Sequence, residues 1–389
     1  MTPQIKWLFL AAMVLAAVTL GSAATAADSA GGKFWVFVGT YTKPNGSKGI
    51  YRCELDTATG KLSAPQLAAE ARNPSFLAIH PNAKFLYAVG EYEDLNGQKS
   101  GGVSGFTLDV ANGALKPINT KPSGGTGPCH LVVDKAGQTV LVANYNSGSA
   151  ATLAIGTDGS LSGPVSQIQH SGRGKVRGRQ DGPHAHSVNL DAANHFAVVA
   201  DLGLDKLMVY RFNPSAHTIA ANDPPAMNLE PGDGPRHFAW HPDGNRAYVI
   251  NELDSTLTAC DYDANRGVLT ARQTVSTLPQ DFKGDNSTAE VVVHPFGKFV
   301  YGSNRGMDTI AAFAIDPAGM LRIDGHTPTG GRTPRNFNID PTGAYLIAAN
   351  ERSNNLVVFR IDQQSGKLTP TGQKVDVGAP VCVKFLAMK

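Results

Sequence analysis

Repetition constrains this chain more than anything else in it. Four segments share one layout: "NPSFLAIHPNAKFLYAVGE" from Asn73, "GPCHLVVDKAGQTVLVANY" from Gly127, "GPRHFAWHPDGNRAYVINE" from Gly234 and "TPRNFNIDPTGAYLIAANE" from Thr333. Each is a short strand, a tight turn holding His or Asp, and a second strand. "STAEVVVHPFGKFVYGSNR" from Ser287 fits without the proline, and "GPHAHSVNLDAANHFAVVADL" from Gly182 fits with two extra residues at its start. A second signature, a strand ending in Asp, Asn or Gly, a turn, then Leu or Ile, recurs seven times from "YRCELDTATGKL" to "VVFRIDQQSGKL". Four short strands repeating about every 50 residues form a unit that buries its faces only by stacking on copies of itself. The expectation is an all-β fold, a seven-bladed β-propeller.

The chain ends say how the ring closes. "KFWVFVGTYT" matches the second strand of a unit and has no first strand before it, whereas "GAPVCVKF" matches a first strand and has no second after it. One blade is therefore expected to be closed by the N- and C-terminal strands, which pairs edges that would otherwise be open.

Ahead of the repeats lies a segment of another kind. Lys6, an apolar run from Trp7 to Leu20 and Ala24-Thr25-Ala26 have the order of a signal peptide over residues 1–26, leaving 27–389 as a single propeller domain. The run is short for a membrane span and no basic stop-transfer cluster follows, so no stable membrane anchor is expected after cleavage. The expected location is outside the cytoplasm, in the periplasm if the source is Gram-negative. A net charge of +2 over 389 residues gives no field that would attract nucleic acid or a membrane surface. Export makes disulfides worth testing for the four cysteines, but the repeats argue against them. Cys53 and Cys260 share a repeat position otherwise filled by Phe, Leu or Tyr, in separate blades, and Cys129 and Cys382 start strands of blades that are not neighbours.

In such a blade the first strand lines the channel and the second returns antiparallel, so strand-one starts and strand-two ends share one mouth. His80, His241 and His294 fall in the hairpin turns at the other mouth, where Asp134, Asp191 and Asp340 stand in other units, and turn bonding accounts for them. At the first mouth the alignment sets Phe76, His130, His186, His237, Glu290, Asn336 and Cys382 level, with Glu91, Tyr145, Leu202, Glu252, Arg305 and Glu351 at the strand-two ends. The regular Asn251, Asn304 and Asn350 read as structural, whereas Arg236, Glu252 and Arg305 break their own repeat and are the better functional candidates. His184 and His186 lie one residue apart on one face, with Asp201, Glu252 or Glu290 as conceivable neighbours, but spacing gives no closed ligand set. No metal and no cofactor are expected. The loop "SGRGKVRGRQ" enters this mouth and can draw an anion inward, or be a solvated loop.

At these residues the sequence resembles the lactonase propeller family, which holds the propeller-type 6-phosphogluconolactonases and the carboxymuconate lactonizing enzyme. "GPHAHS", "GPRHFAWHPDG", "VINEL" and "SNRG", in this order, carry the resemblance. It implies a metal-free site of one histidine, two arginines and a glutamate: His186, with His184 as alternative, Arg236, Arg305 and Glu252. The expected substrate is a small anionic lactone or carboxylate, with His184, His237, Glu290 and Arg335 as binding residues and His186, or Glu252 through a water, as general base. Two other readings stay open: a cycloisomerase running the same chemistry in reverse, and a non-catalytic envelope propeller.

Overall fold

The computed structural model describes residues 32–388. The expected leader, its cleavage point and the start of the mature chain lie outside the described residues. Every regular element among the described residues is a β-strand. The fourth blade is typical: Ala185–Leu190, Phe196–Asp201, Lys206–Asn213 and Thr218–Asn228 pair in sequence order, each antiparallel to the last. The third, fifth, sixth and seventh blades repeat this order, and the second does so around a small inserted hairpin, Asp94–Leu95 with Gln98–Lys99. In the first blade the innermost strand is the last of the chain: Pro380–Ala387 pairs with Lys33–Thr40, which pairs with Gly49–Asp56. The ring closes as the chain ends foretell.

Burial grades outward along each blade. Phe196–Asp201, Phe299–Asn304 and Tyr345–Asn350 are buried at every position, whereas outer strands such as Leu368–Asp376 alternate buried or half-buried with exposed residues. Second strands are packed on both faces by neighbouring blades and so take continuous apolar runs, while a fourth strand has one face in water. Tyr87, Tyr248 and Tyr301 are wholly buried on second strands, and each hydroxyl donates to a turn carbonyl of the next blade, Gly159 O at 2.9 Å, Gly319 O at 3.2 Å and Gly366 O at 2.8 Å. All four cysteines are free and buried, Cys53, Cys260 and Cys382 in three separate hydrophobic clusters.

The turn mouth is stapled by the histidines the repeat places there. In His80, His241 and His294, Nδ1 accepts a main-chain N–H two residues on, so Nε2 carries the proton and donates to Gly137 O, Gly297 O or Gly343 O of the next blade at 2.8, 2.9 and 3.0 Å. A Cβ on Gly137 would stand 2.3 Å from the His80 ring, so this approach requires glycine.

At the opposite mouth six of the seven first strands open with a β-bulge, the second blade's Leu77–Ile79 pairing without one. Pairing skips one residue, namely Cys129, His186, Arg236, Arg335 and Val381, and in the sixth blade it skips both Ala289 and Glu290. This corrects the alignment drawn from the sequence. His186 is level with Cys129, Arg236 and Arg335, and it is Ser187 that stands where His130 and His237 do. Matching on histidine slipped the fourth blade by one residue. A bulge re-aims the side chain it carries, so the slip decides what His186 faces.

Candidate active site

The bulge residues, with Ser75 of the second blade, converge on the axis. Ser75, Cys129, His186, Arg236, Arg335 and Val381, with Tyr41, Glu91, Phe76 and His237, enclose a cavity of about 10 Å3, at the threshold for holding one water. Beside it lies Glu252, at the end of the fifth blade's second strand, almost wholly buried. Three guanidinium groups meet this carboxylate. Arg305 Nη2 is 2.7 Å from Oε2, Arg236 Nε is 2.9 Å from the same oxygen, and Arg179 Nη2 bonds Oε1. Arg236 Nε points off the oxygen and makes no hydrogen bond among the described residues; Nη1 instead donates to Ala289 O at 2.6 Å. Arg305 Nη2 also donates to Thr288 O at 2.7 Å, leaving its Nε without an acceptor among the described residues.

Burial opposes ionisation of Glu252, but Arg305, Arg236 and Arg179 outweigh it and hold the carboxyl at about 2. Three cations on one anion leave an excess of positive charge in this cluster. Arg179 comes from the basic loop, whose base is locked by the buried Gln180: Nε2 donates to Leu202 O at 2.8 Å and Asp205 Oδ1 at 2.6 Å, and Oε1 accepts from Val176 N at 2.8 Å. Arg173, Lys175 and Arg177 of this loop are exposed.

His186 stands next to Arg236 in the bulge ring, 5 % exposed. Burial first, then Arg236 and His237, push its imidazole well below 6.5, so it is neutral at neutral pH. Nδ1 lies 3.6 Å from Cys129 Sγ, whose thiol donates to His186 O at 3.3 Å, and Nε2 makes no hydrogen bond with the described residues. The His184 ring is directed elsewhere: it stacks on Tyr145 at 4.5 Å and its Nδ1 meets Tyr145 O at 3.0 Å.

One layer deeper, His237 Nδ1 is 2.8 Å from Glu290 Oε1, and Asn336 Nδ2 donates to Glu290 Oε2. Burial lifts Glu290 to about 7 and drives His237 well below 6.5, so neither group favours its charged form here. This layer plugs the channel. Below it a larger cavity, about 480 Å3, opens at the turn mouth between Phe76, His130, Glu290, Asn336, Asn338 and Lys384. It is the wider space, but the converging guanidinium groups and the neutral histidine all lie on the other side of the plug, and that side is the candidate site. Arg335 is across the bulge ring from Glu252; its Nη2 donates to the Tyr41 hydroxyl at 2.9 Å, which in turn donates to Glu91 at 3.0 Å. Among the described residues no three His, Cys, Asp or Glu side chains are arranged to hold a metal ion.

A seven-bladed ring with this sequence along its length is matched by the family model "Lactonase, 7-bladed beta-propeller" over residues 35–385. The chain belongs to the lactonase family. It is 40% identical over 355 residues to the 6-phosphogluconolactonase of Bacillus subtilis, covering 91% of this chain and 99% of that one. A 6-phosphogluconolactonase of Formosa agariphila is 35% identical over 88% of this chain and 96% of its own. Among solved structures, the periplasmic gluconolactonase of Pseudomonas aeruginosa superposes with a TM-score of 0.86 at 33% identity, covering 92% of this chain and all of that one.

Of the residues singled out in this lactonase's sequence, His186, Arg236, Glu252 and Arg305 come together in one cluster. His237 and Glu290 form the plug beneath it, Arg335 faces it from the seventh blade, and His184 packs outside it on Tyr145. Sequence reasoning did not foresee that Arg179, within the basic loop, is a third cation on Glu252, or that Tyr41 and Glu91 hold Arg335. The signal for the latter was present: both sit at strand-two ends, level with Glu252.

Proposed function

We propose that this chain hydrolyses a sugar or related lactone at the bulge mouth, with His186 as general base. One observation carries the reading: three guanidinium groups on a single carboxylate, next to a neutral imidazole that faces a cavity the size of one water. His186 Nε2 takes a proton from that water as its oxygen bonds the acyl carbon. Arg236 and Arg305, each with an Nε–H that no described residue satisfies, are the donors at hand for the carbonyl oxygen as it becomes anionic. The bond from acyl carbon to ring oxygen then breaks, and the imidazolium returns its proton to the departing oxygen. The product is a hydroxy acid whose carboxylate, like a substrate phosphate, suits the excess positive charge. A carboxyl held at about 2 is a poor base. Glu252 therefore keeps the arginines placed and charged, and His186 is preferred for proton transfer.

The names of the relatives bring in the substrate class, 6-phosphogluconolactone or gluconolactone. Export with cleavage near Ala27 is part of the same reading, supported by Lys6, the Trp7–Leu20 run and Ala24-Thr25-Ala26. The test is ring opening of both lactones, and cyclisation of a muconate, on one preparation with a chelator present. Lactone hydrolysis above the spontaneous rate is expected; acceleration of neither lactone overturns the reading.

A further inference from the structure

The fourth blade departs from its repeat at a second place, away from the reacting groups. At the end of strand two the third, fifth, sixth and seventh blades carry Asn144, Asn251, Asn304 and Asn350; the fourth carries Asp201. The asparagines tie the sheet together. Asn144, Asn304 and Asn350 donate through Nδ2 to the carbonyls of Ser123, Thr277 and Thr329 at 3.2, 2.9 and 3.1 Å, and Asn251 donates to Thr256 and Thr258 of its own blade. Their side-chain oxygens take no main-chain N–H, and those of Asn144, Asn251 and Asn350 have no partner among the described residues.

Asp201 is wired differently. Its Oδ1 accepts the main-chain N–H of His184 at 2.8 Å and of Gly203 at 3.0 Å. Its Oδ2 is 2.5 Å from His170 Nδ1, and His170 Nε2 is 2.7 Å from the Tyr210 hydroxyl. His170 occupies the place of Ser123, Thr277 and Thr329, so both partners of the repeat's pair are exchanged together. All three side chains are buried, at 4%, 0% and 2% exposure for His170, Asp201 and Tyr210. His170 opens the loop that carries Arg179, and His184 closes it, two residues before the bulged His186. Leu202 N donates to His184 O at 2.9 Å, so His184 is held from both its N–H and its carbonyl.

We propose that Asp201, backed by His170 and Tyr210, is a positioning unit for catalysis: it fixes the entry to the bulge that aims His186 and roots the loop that presents Arg179. This rests on the lactonase reading for its kinetic consequence, but not for its structural one. The repeat supplies the variant that separates a role in folding from a role in the site. Asp201→Asn with His170→Thr installs the pair the sixth blade uses at Asn304 and Thr277, which a propeller blade tolerates. The melting temperature is expected to stay within a few degrees of wild type, while kcat falls on the order of 10- to 100-fold, the scale of a displacement of about 1 Å. Deuterium uptake over residues 180–187 should rise with the outer strands unchanged. Tyr210→Phe, which keeps the Asp201–His170 contact, should lose less than half of kcat. A folded double variant with wild-type kcat and unchanged uptake overturns the proposal. Should the double variant fail to fold, Asp201→Ala alone decides, since it removes the oxygen that accepts the His184 and Gly203 N–H groups: a lower kcat with raised uptake supports the unit, wild-type values of both sink it. Should the wild type open no lactone, the function reading fails while the uptake measurement still decides the positioning role.

Discussion

At the turn mouth His80, His241 and His294 commit both ring nitrogens, Nδ1 to their own hairpin and Nε2 to the neighbouring blade. At the bulge mouth His186 makes no Nε2 hydrogen bond with the described residues and stands beside arginines instead of a turn. The same side chain thus serves cohesion at one end of the channel and is left available at the other. What separates the two is whether the local backbone obeys the repeat: the turn histidines alternate with aspartates that likewise accept main-chain N–H groups of their own hairpins, and His186 alternates with Cys129, Arg236 and Arg335, which share no single bonding role.

Substitution can break this contrast, beginning with the largest effect. His186→Ala is expected to lower kcat by roughly 10²- to 10⁴-fold with the fold intact, whereas His294→Ala should leave turnover within about twofold and cost about 1–3 kcal/mol of stability. Steady-state kinetics and denaturant melts on the two proteins check both, and the contrast fails if His294→Ala is the inactive one. Glu252→Gln strands buried guanidinium groups without their anion, and is expected to cost about 3–5 kcal/mol along with activity; a stable, active variant would mean the carboxylate is dispensable to the arginines. Arg305→Ala should lower kcat by about 10²- to 10³-fold, while Arg179→Ala, removing a half-exposed cation, should act on KM for a phosphorylated lactone more than on kcat or on a neutral one.

The smallest effects are in pH. His186 is pushed well below 6.5, and its neutral form is the base, so kcat/KM should stay level as pH falls past 6.5 and decline only further into acid. Stability has two opposed contributions. Glu252 is depressed from 4.5 to about 2, so what it contributes is present above about 4.5 and lost as pH falls toward 2. Glu290 is raised from 4.5 to about 7, so its contribution is full below about 4.5 and lost as pH rises through 7. Melting temperature against pH should fall on both sides, and Glu290→Gln should flatten only the fall between about 4.5 and 7.

The blades, the closing of the ring and the separation of the mouths were all legible in the sequence, because strand alternation and turn chemistry are local and recur seven times. Arg236, Glu252 and Arg305 were legible as violations of that recurrence. His186 was found, but one residue out of register. Counting back from Asp191, as from His241 to His237, reaches Ser187 and leaves His186 level with Arg236. Arg179 and the Asp201–His170 pair were not foreseen, since which loop residue reaches a distant carboxylate depends on how Gln180 folds the loop back, and no spacing encodes that. Even so, Asp201 among asparagines and His170 among serine and threonine stand in the sequence as paired departures.

The seam of the first blade has one further consequence. Lys33 and Met388 lie side by side, Met388 N donating to Lys33 O at 2.9 Å, so a short linker can join the beginning and end of the ring without displacing either strand. The order in which the chain visits its blades is then a matter of where it is cut. Opened at the exposed turn between Gln364 and Ser365, the same residues form a permuted lactonase whose seam has moved to the seventh blade, leaving every residue of the bulge mouth on uninterrupted strands.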